Sequence, residues 1–267
     1  MARNRLRIPS LVALSAALAL VTGCGGDSDT SAGSASGKDK GKPSVVVTTT
    51  WEGAFAKAAG AENIKVIVPK SVHHAPDYDP KPSDLAAVAE ADFVLYAPFE
   101  PYAEKIKEAA GSKAELVEVN LDNDADKVKA EVDKLAKLFG TGKAAATWKA
   151  AFDTEYAKLA KDLKAAWPGG KSPNVVSQVF TGWSAELAGA TTVGTYGPEA
   201  VTPAQLAELA KKEPAFVLDN AHMSTGTVLP DSGAKQVKIV NYPGDDFDLL
   251  PVYSNAAAEL KKAMGAS

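Results

Sequence analysis

From Ser44 onward, short apolar runs rich in β-branched residues alternate with amphipathic stretches, and that alternation leaves few folds open. The runs "SVVVTTT", "IKVIVP", "DFVLYAP" and "AELVEV" read as strands buried on both faces, a pattern of parallel sheets. Between them "WEGAFAKAAG", "PSDLAAVAEA" and "PYAEKIKEAAG" read as helices, with Ser83 as an N-cap, Pro101 near a first turn, and Gly60 and Gly111 as stops. Helices that separate buried strands argue for parallel βα units and an α/β fold. The second half repeats the order, with strands "NVVSQV", "TTVGTY", "AFVLDN" and "VKIVNY". Its helices are "TGWSAELAGA", "TPAQLAELAKK", a weak "STGTVLPDSGA" and "LLPVYSNAAAELKKAM". A faint internal echo, "PSDLAAVAEADFVLY" against "PAQLAELAKKEPAFVLD", supports two lobes built alike.

The middle of the chain differs. "DADKVKAEVDKLAKLFG" is helical, glycines break it, and Lys143 to Trp167 is helical again. In that second piece Trp148, Phe152, Tyr156, Leu159, Leu163 and Ala166 recur at steps of three or four, one apolar stripe. At 1.5 Å per residue the helix would reach roughly 37 Å, a stiff strut between two halves. The expected architecture is two lobes, each a parallel four-stranded sheet with flanking helices, bridged by a long rigid helix. Residues 43–122 form the N-terminal lobe, 123–168 the linking helices and 169–267 the C-terminal lobe.

Residues 1–23 have the layout of an export signal: Arg3, Arg5 and Arg7, then an apolar stretch from Leu11 to Val21 too short to span a bilayer. Cys24, the sole cysteine, has no partner for an internal disulfide, and residues 24–42 carry too little apolar surface to fold. Those residues read as a flexible tether. Loss of the three leader arginines takes the formal charge from −4 to −7. Both signs are interleaved along the chain, which argues against a nucleic-acid partner.

Two resemblances sharpen this reading. Val21-Thr22-Gly23-Cys24 resembles a bacterial lipobox, which implies cleavage before Cys24, lipid on its sulfur, and a protein held on the extracytoplasmic face of the cell membrane. The stretch "VPKSVHHAPDYDPKPSDLAAVAEADFVLYAPFEPYAEKI" resembles the zinc/manganese-type solute-binding proteins of ABC transporters. There a His-x-Tyr-Glu-Pro-x-Pro-Ser-Asp-Leu segment follows the second strand. The resemblance implies a monomer of two bridged lobes with a transition metal held between them as cargo, and a permease and an ATPase as partners.

The same resemblance implies four ligands, and the sequence departs at each. The position two residues before the loop tyrosine is Pro76, and the loop is about one residue longer, which moves His74 into the role. A second histidine has no counterpart in "NLDNDADKV". A third aligns with Gln178, and the last carboxylate falls near Asn241 or Tyr242, with Asp245 and Asp246 next along. The three histidines all lie on loops expected to follow strands, where ligands of open α/β sheets collect. Imidazole nitrogen with carboxylate oxygen suits zinc or manganese. The ligand candidates are therefore His74, His222 and one of Asp245 or Asp246. His73 points away from His74 in an extended segment, Asp77 is placed to orient an imidazole, and Tyr78, Gln178 and Asn241 are expected at the cleft.

A second reading stays open: an organic or chelated ligand in the same cleft, favoured by the missing histidines and by Trp51, Tyr78, Phe99, Trp183 and Tyr242. Adhesion by a lipid-anchored domain needs an exposed apolar patch. An enzyme is not expected. Ser177, His222 and Asp219 are present, but "VVSQV" lacks the Gly-x-Ser-x-Gly turn that exposes a nucleophile.

Overall fold

A computed structural model describes residues 42–69, 72 and 77–265. The expected leader, Cys24, the tether up to Gly41, and His73 and His74 lie outside the described residues.

The N-terminal sheet contains β1 (Ser44–Val47), β2 (Asn63–Val66), β3 (Phe93–Tyr96) and β4 (Glu115–Glu118), all parallel in the order β2-β1-β3-β4. Side chains alternate across a strand, so Val45 and Val47 meet α1 (Thr50–Ala58) and α4 (Ala125–Phe139) in one core. Val46 points the other way, into a second core with Val88 of α2 (Pro82–Glu90) and Ile106 of α3 (Ala103–Ala110). Both faces of the central strands β1 and β3 are covered, which is why those two lack polar positions at their centre, whereas the edge strands β2 and β4 expose Lys65 and Glu115. Ser83 is not the N-cap of α2. Lys81 is, because Pro82 has no N–H to lose and takes the first helical position.

The C-terminal sheet repeats this plan with β5 (Asn174–Gln178), β6 (Thr191–Tyr196), β7 (Phe216–Asn220) and β8 (Lys235–Ile239) in the order β6-β5-β7-β8. One face packs on α6 (Gly182–Ala188) and α8 (Leu250–Ala263), the other on α7 (Pro203–Ala210). The two echoing segments occupy matching places, as α2-β3 and α7-β7. The expected helix at "STGTVLPDSGA" does not form. Gly226 and Gly233 adopt positive φ and Pro230 interrupts the run, so the crossover from β7 to β8 is irregular. Val228 and Leu229 cover the sheet face in place of a helix, and Gln236 Oε1 accepts from Val228 N at 2.8 Å.

The bridge is α5 (Gly142–Ala165), 24 residues and about 36 Å long. Its first turn belongs to the N-terminal lobe: Ala145 lies in that core, and the Thr141 hydroxyl that precedes it donates to Ala59 O. Phe152 and Leu163 are buried in the C-terminal core, and Trp148 packs against both. The stripe therefore joins the lobes rather than serving one of them.

Candidate functional site

The carboxyl ends of the two sheets meet where the chain leaves β1, β4, β5, β7 and β8. Thr49 caps α1 in a box with Glu52, which turns the chain sharply after β1 and presents Thr50 and Trp51 to the other lobe. Thr50 Oγ1 donates to Pro243 O at 3.2 Å, and the Trp51 ring lies 4.7 Å from that of Tyr242.

A hydrogen-bond chain crosses the junction. Trp51 Nε1 donates to Asn123 Oδ1 at 3.1 Å, and Trp183 Nε1 donates to Asn241 Oδ1 at 3.0 Å. Both tryptophans are the second residue of the helix that follows a lobe's first strand, and both asparagines follow that lobe's fourth strand. Asn123 Nδ2 joins the two units by donating to Asn241 O at 3.0 Å. Tyr253 OH donates to Asn123 O at 2.9 Å, and Asn241 Nδ2 donates to Phe180 O at 3.0 Å. Every polar group in this buried set has a partner, the condition under which such a network stabilises.

His222 sits on the loop after β7, its N–H bonded to Asn220 Oδ1 at 2.9 Å. His222 is exposed, but its ring meets the Tyr242 ring edge to face at 4.8 Å. That cover lowers the imidazole pKa from its ordinary value, because desolvation penalises the charged form. His222, Tyr242 and Trp51 thus form a line of rings from one lobe to the other.

The remaining expected positions scatter. Asn241 is buried within the network. Gln178 is buried and leans under Gly197, past the end of β6, on the opposite side of β5 from the His222 loop. Its Oε1 accepts from Phe180 N at 2.7 Å, while Nε2 makes no hydrogen bond. Tyr78 folds back on its own lobe, its hydroxyl donating to Asp84 Oδ2 at 2.7 Å, and Asp77 is exposed. The loop after Tyr242 runs along α1. Phe247 crosses at Gly53, where a Cβ would come within 2.8 Å of the ring, and Lys57 Nζ donates to Asp246 O at 2.6 Å. Asp246 is exposed and lines a cavity of about 510 Å³ with Lys57, Glu62 and Ala144, seven residues or roughly 10 Å along α1 from Thr50. Asp245 is exposed beside it. Among the described residues no three His, Cys, Asp or Glu side chains are gathered to hold a metal ion.

Two acids that the sequence did not single out lie beneath this junction. Glu52, fully buried, and Glu100, 6% exposed, both sit at strand ends of the N-terminal lobe. Burial and then the Glu52 charge push the Glu100 carboxyl up to about 8, and burial raises Glu52 as well. The C-terminal lobe buries Asp219, which accepts from Tyr196 OH at 2.7 Å, Ser224 Oγ at 2.6 Å and Gln236 Nε2 at 2.9 Å. Those three donors tie Asp219 into the fold rather than into a catalytic triad with Ser177, whose buried hydroxyl makes no hydrogen bond. Large exposed apolar side chains also gather at strand ends, namely Phe99, Val179, Phe180, Met223 and Val240.

Residues 45–213, more than half of the chain, match the family described as zinc-uptake complex component A, periplasmic (ZnuA), whose members are transport binding proteins rather than enzymes. No curated protein matches this chain in sequence. Among solved structures, the laminin-binding protein Lbp of Streptococcus pyogenes aligns with a TM-score of 0.59 at 18% identity, over 83% of this chain and 98% of that one. The ZnuA-like domain of Streptococcus pneumoniae AdcA, solved with Zn(II), gives 0.56 at 16% identity, over 84% and 99%. The SBP FpvC of Pseudomonas aeruginosa, solved with Mn2+, gives 0.61 at 15% identity, over 84% and 97%. At these identities the likeness is one of fold. Among the described residues no helix is long and apolar enough to cross a membrane.

Proposed function

This chain belongs to the zinc-uptake component A family, and from that premise we propose that it captures a divalent transition ion, zinc or manganese, between its lobes. It then passes the ion to the permease and ATPase of an ABC transporter. The observation that carries this reading is the line of rings His222, Tyr242 and Trp51, in which Tyr242 links a C-lobe imidazole to the first turn of α1. The chain past β2 runs beside the same turn at Val68, whose N donates to Thr48 O at 2.9 Å, and His74 follows six residues later in sequence.

In this reading His74 and His222 supply nitrogen ligands, and Asp245, three residues past Tyr242, supplies carboxylate oxygen. Asp246 is set aside, because its Oδ1 accepts from Asp248 N at 3.3 Å and its main-chain oxygen is held by Lys57. His73 flanks the site and Asp77 orients an imidazole. The lowered pKa of His222 keeps it neutral at pH 7, so affinity is full there and falls as pH drops through that pKa. Lipid on Cys24 anchors the monomer to the extracytoplasmic face of the membrane, and residues 25–42 let it reach its partner.

Calorimetric titration of the mature chain with zinc and with manganese tests this. One ion per chain is expected, with His74→Ala and His222→Ala each weakening binding at least tenfold, about 1.4 kcal/mol. Binding untouched by both changes would remove the reading. A second reading, an organic or chelated ligand in the same cleft, draws support from exposed Phe99, Phe180 and Met223 at the strand ends. It predicts no heat with the bare ions.

A further inference from the structure

The Glu52 and Glu100 carboxyls occupy an unusual position. Glu52 Oε2 accepts from Thr49 N at 3.0 Å and from the Thr49 hydroxyl, while Glu52 Oε1 makes no hydrogen bond. Glu100 Oε2 accepts from Ala97 N at 3.1 Å, and Oε1 accepts from Tyr102 OH at 3.1 Å. Thr48, fully buried at the end of β1, is close enough to both carboxyls to favour the charged form of each, yet its Oγ1 also lacks a partner. The main influences on the two acids are burial, the Glu52 charge acting on Glu100, and hydrogen bonds from backbone, threonine and tyrosine donors. The titratable groups that face the pair are Tyr102, on the turn into α3, and Tyr242, on the loop after β8. Burial raises the pKa of both phenols, so neither brings a compensating charge.

Two carboxylates buried this deeply and acting on each other cannot both stay ionised at modest cost. Two orphaned oxygens within one cluster call for exactly the donors that one extra proton and one hydroxyl supply. We propose that Glu52 and Glu100 hold a single proton through the Thr48 hydroxyl, with Glu100 O–H donating to Thr48 Oγ1 and Thr48 O–H donating to the Glu52 carboxylate. Glu52 is the anion because it stands in the first turn of α1, where helix N–H groups favour negative charge. The relay ties the end of β1, the start of α1 and the β3–α3 turn into one floor beneath the junction of the lobes. It is independent of which cargo binds above it.

Infrared spectroscopy and pH-dependent unfolding test the pair directly. The protein at pH 6 is expected to show a protonated-carboxyl band that disappears as pH rises through about 8. Glu100→Gln should abolish the band. Glu52→Gln should move its midpoint down, since the neighbouring charge that holds the proton is gone. Between pH 5.5 and 7.5 the wild-type folding constant should fall by up to tenfold per pH unit relative to Glu100→Gln. No band at pH 6 in the wild type, or the same midpoint in Glu52→Gln, would overturn the proposal. Those two readouts decide the matter even where Glu100→Gln fails to fold.

Discussion

The two lobes share a strand order and a tryptophan–asparagine contact, yet they bury negative charge in different ways. Asp219 of the C-terminal lobe has three side-chain donors. Glu52 and Glu100 of the N-terminal lobe have two hydrogen-bond donors each, and the Glu52 charge acts on Glu100. Equivalent architecture therefore does not fix the electrostatics of a strand end. What decides is whether the loops bring enough hydrogen-bond donors to hold a charge out of water.

The largest effect expected from this contrast is at Asp219. Asp219→Ala leaves the buried Tyr196 hydroxyl and the more open Ser224 and Gln236 donors without an acceptor, a loss of roughly 2–5 kcal/mol at about 1–3 kcal/mol for the buried group and less for each of the others, read by urea unfolding. Glu100→Gln should behave in the opposite sense near pH 8. The folded Glu100 keeps its proton up to about 8, against 4.5 for an ordinary glutamate. The stability that the proton supplies is thus complete below pH 4.5 and is lost as pH rises to about 8. Relative to Glu100→Gln, the wild type should weaken by at most about 1.4 kcal/mol per pH unit across that window. A flat difference would erase the contrast between the lobes.

Smaller changes probe the features the lobes have in common. Trp51→Phe and Trp183→Phe each strand one buried asparagine oxygen, at a cost of about 1–2 kcal/mol in thermal or urea unfolding. Similar values would sharpen the symmetry of the junction, and very different ones would break it. Thr48→Val and Ser177→Ala both remove a buried hydroxyl that has no partner. Thr48→Val should cost about 1 kcal/mol through loss of the relay, whereas Ser177→Ala should stay within about 0.5 kcal/mol of the wild type.

The sheets, their covering helices and the long bridge were legible in the sequence because each rests on local periodicity. The Val45-Val46-Val47 run, the α5 stripe and the echo of α2-β3 in α7-β7 are patterns within a few dozen residues. The junction was not legible, since its partners lie far apart: Trp51 meets Asn123 72 residues away, and Trp183 meets Asn241 58 residues away. Glu52 reads as an ordinary helix-start acid, and Thr48 to Thr50 as the tail of a strand. Only the fold shows that Thr49 ends that strand by capping α1 and that Glu52 is buried. The "STGTVLPDSGA" segment misled in the other direction, because its two apolar residues serve as a plug rather than a helix face.

The central claim is that one ion is shared by imidazoles from both lobes. X-ray absorption at the zinc edge of the loaded protein tests it most directly. The account predicts a first shell of nitrogen and oxygen at about 2.0–2.2 Å with the outer scattering of two imidazole rings, reduced to one ring in His222→Ala. A shell of oxygen alone, or one unchanged by that substitution, would contradict it.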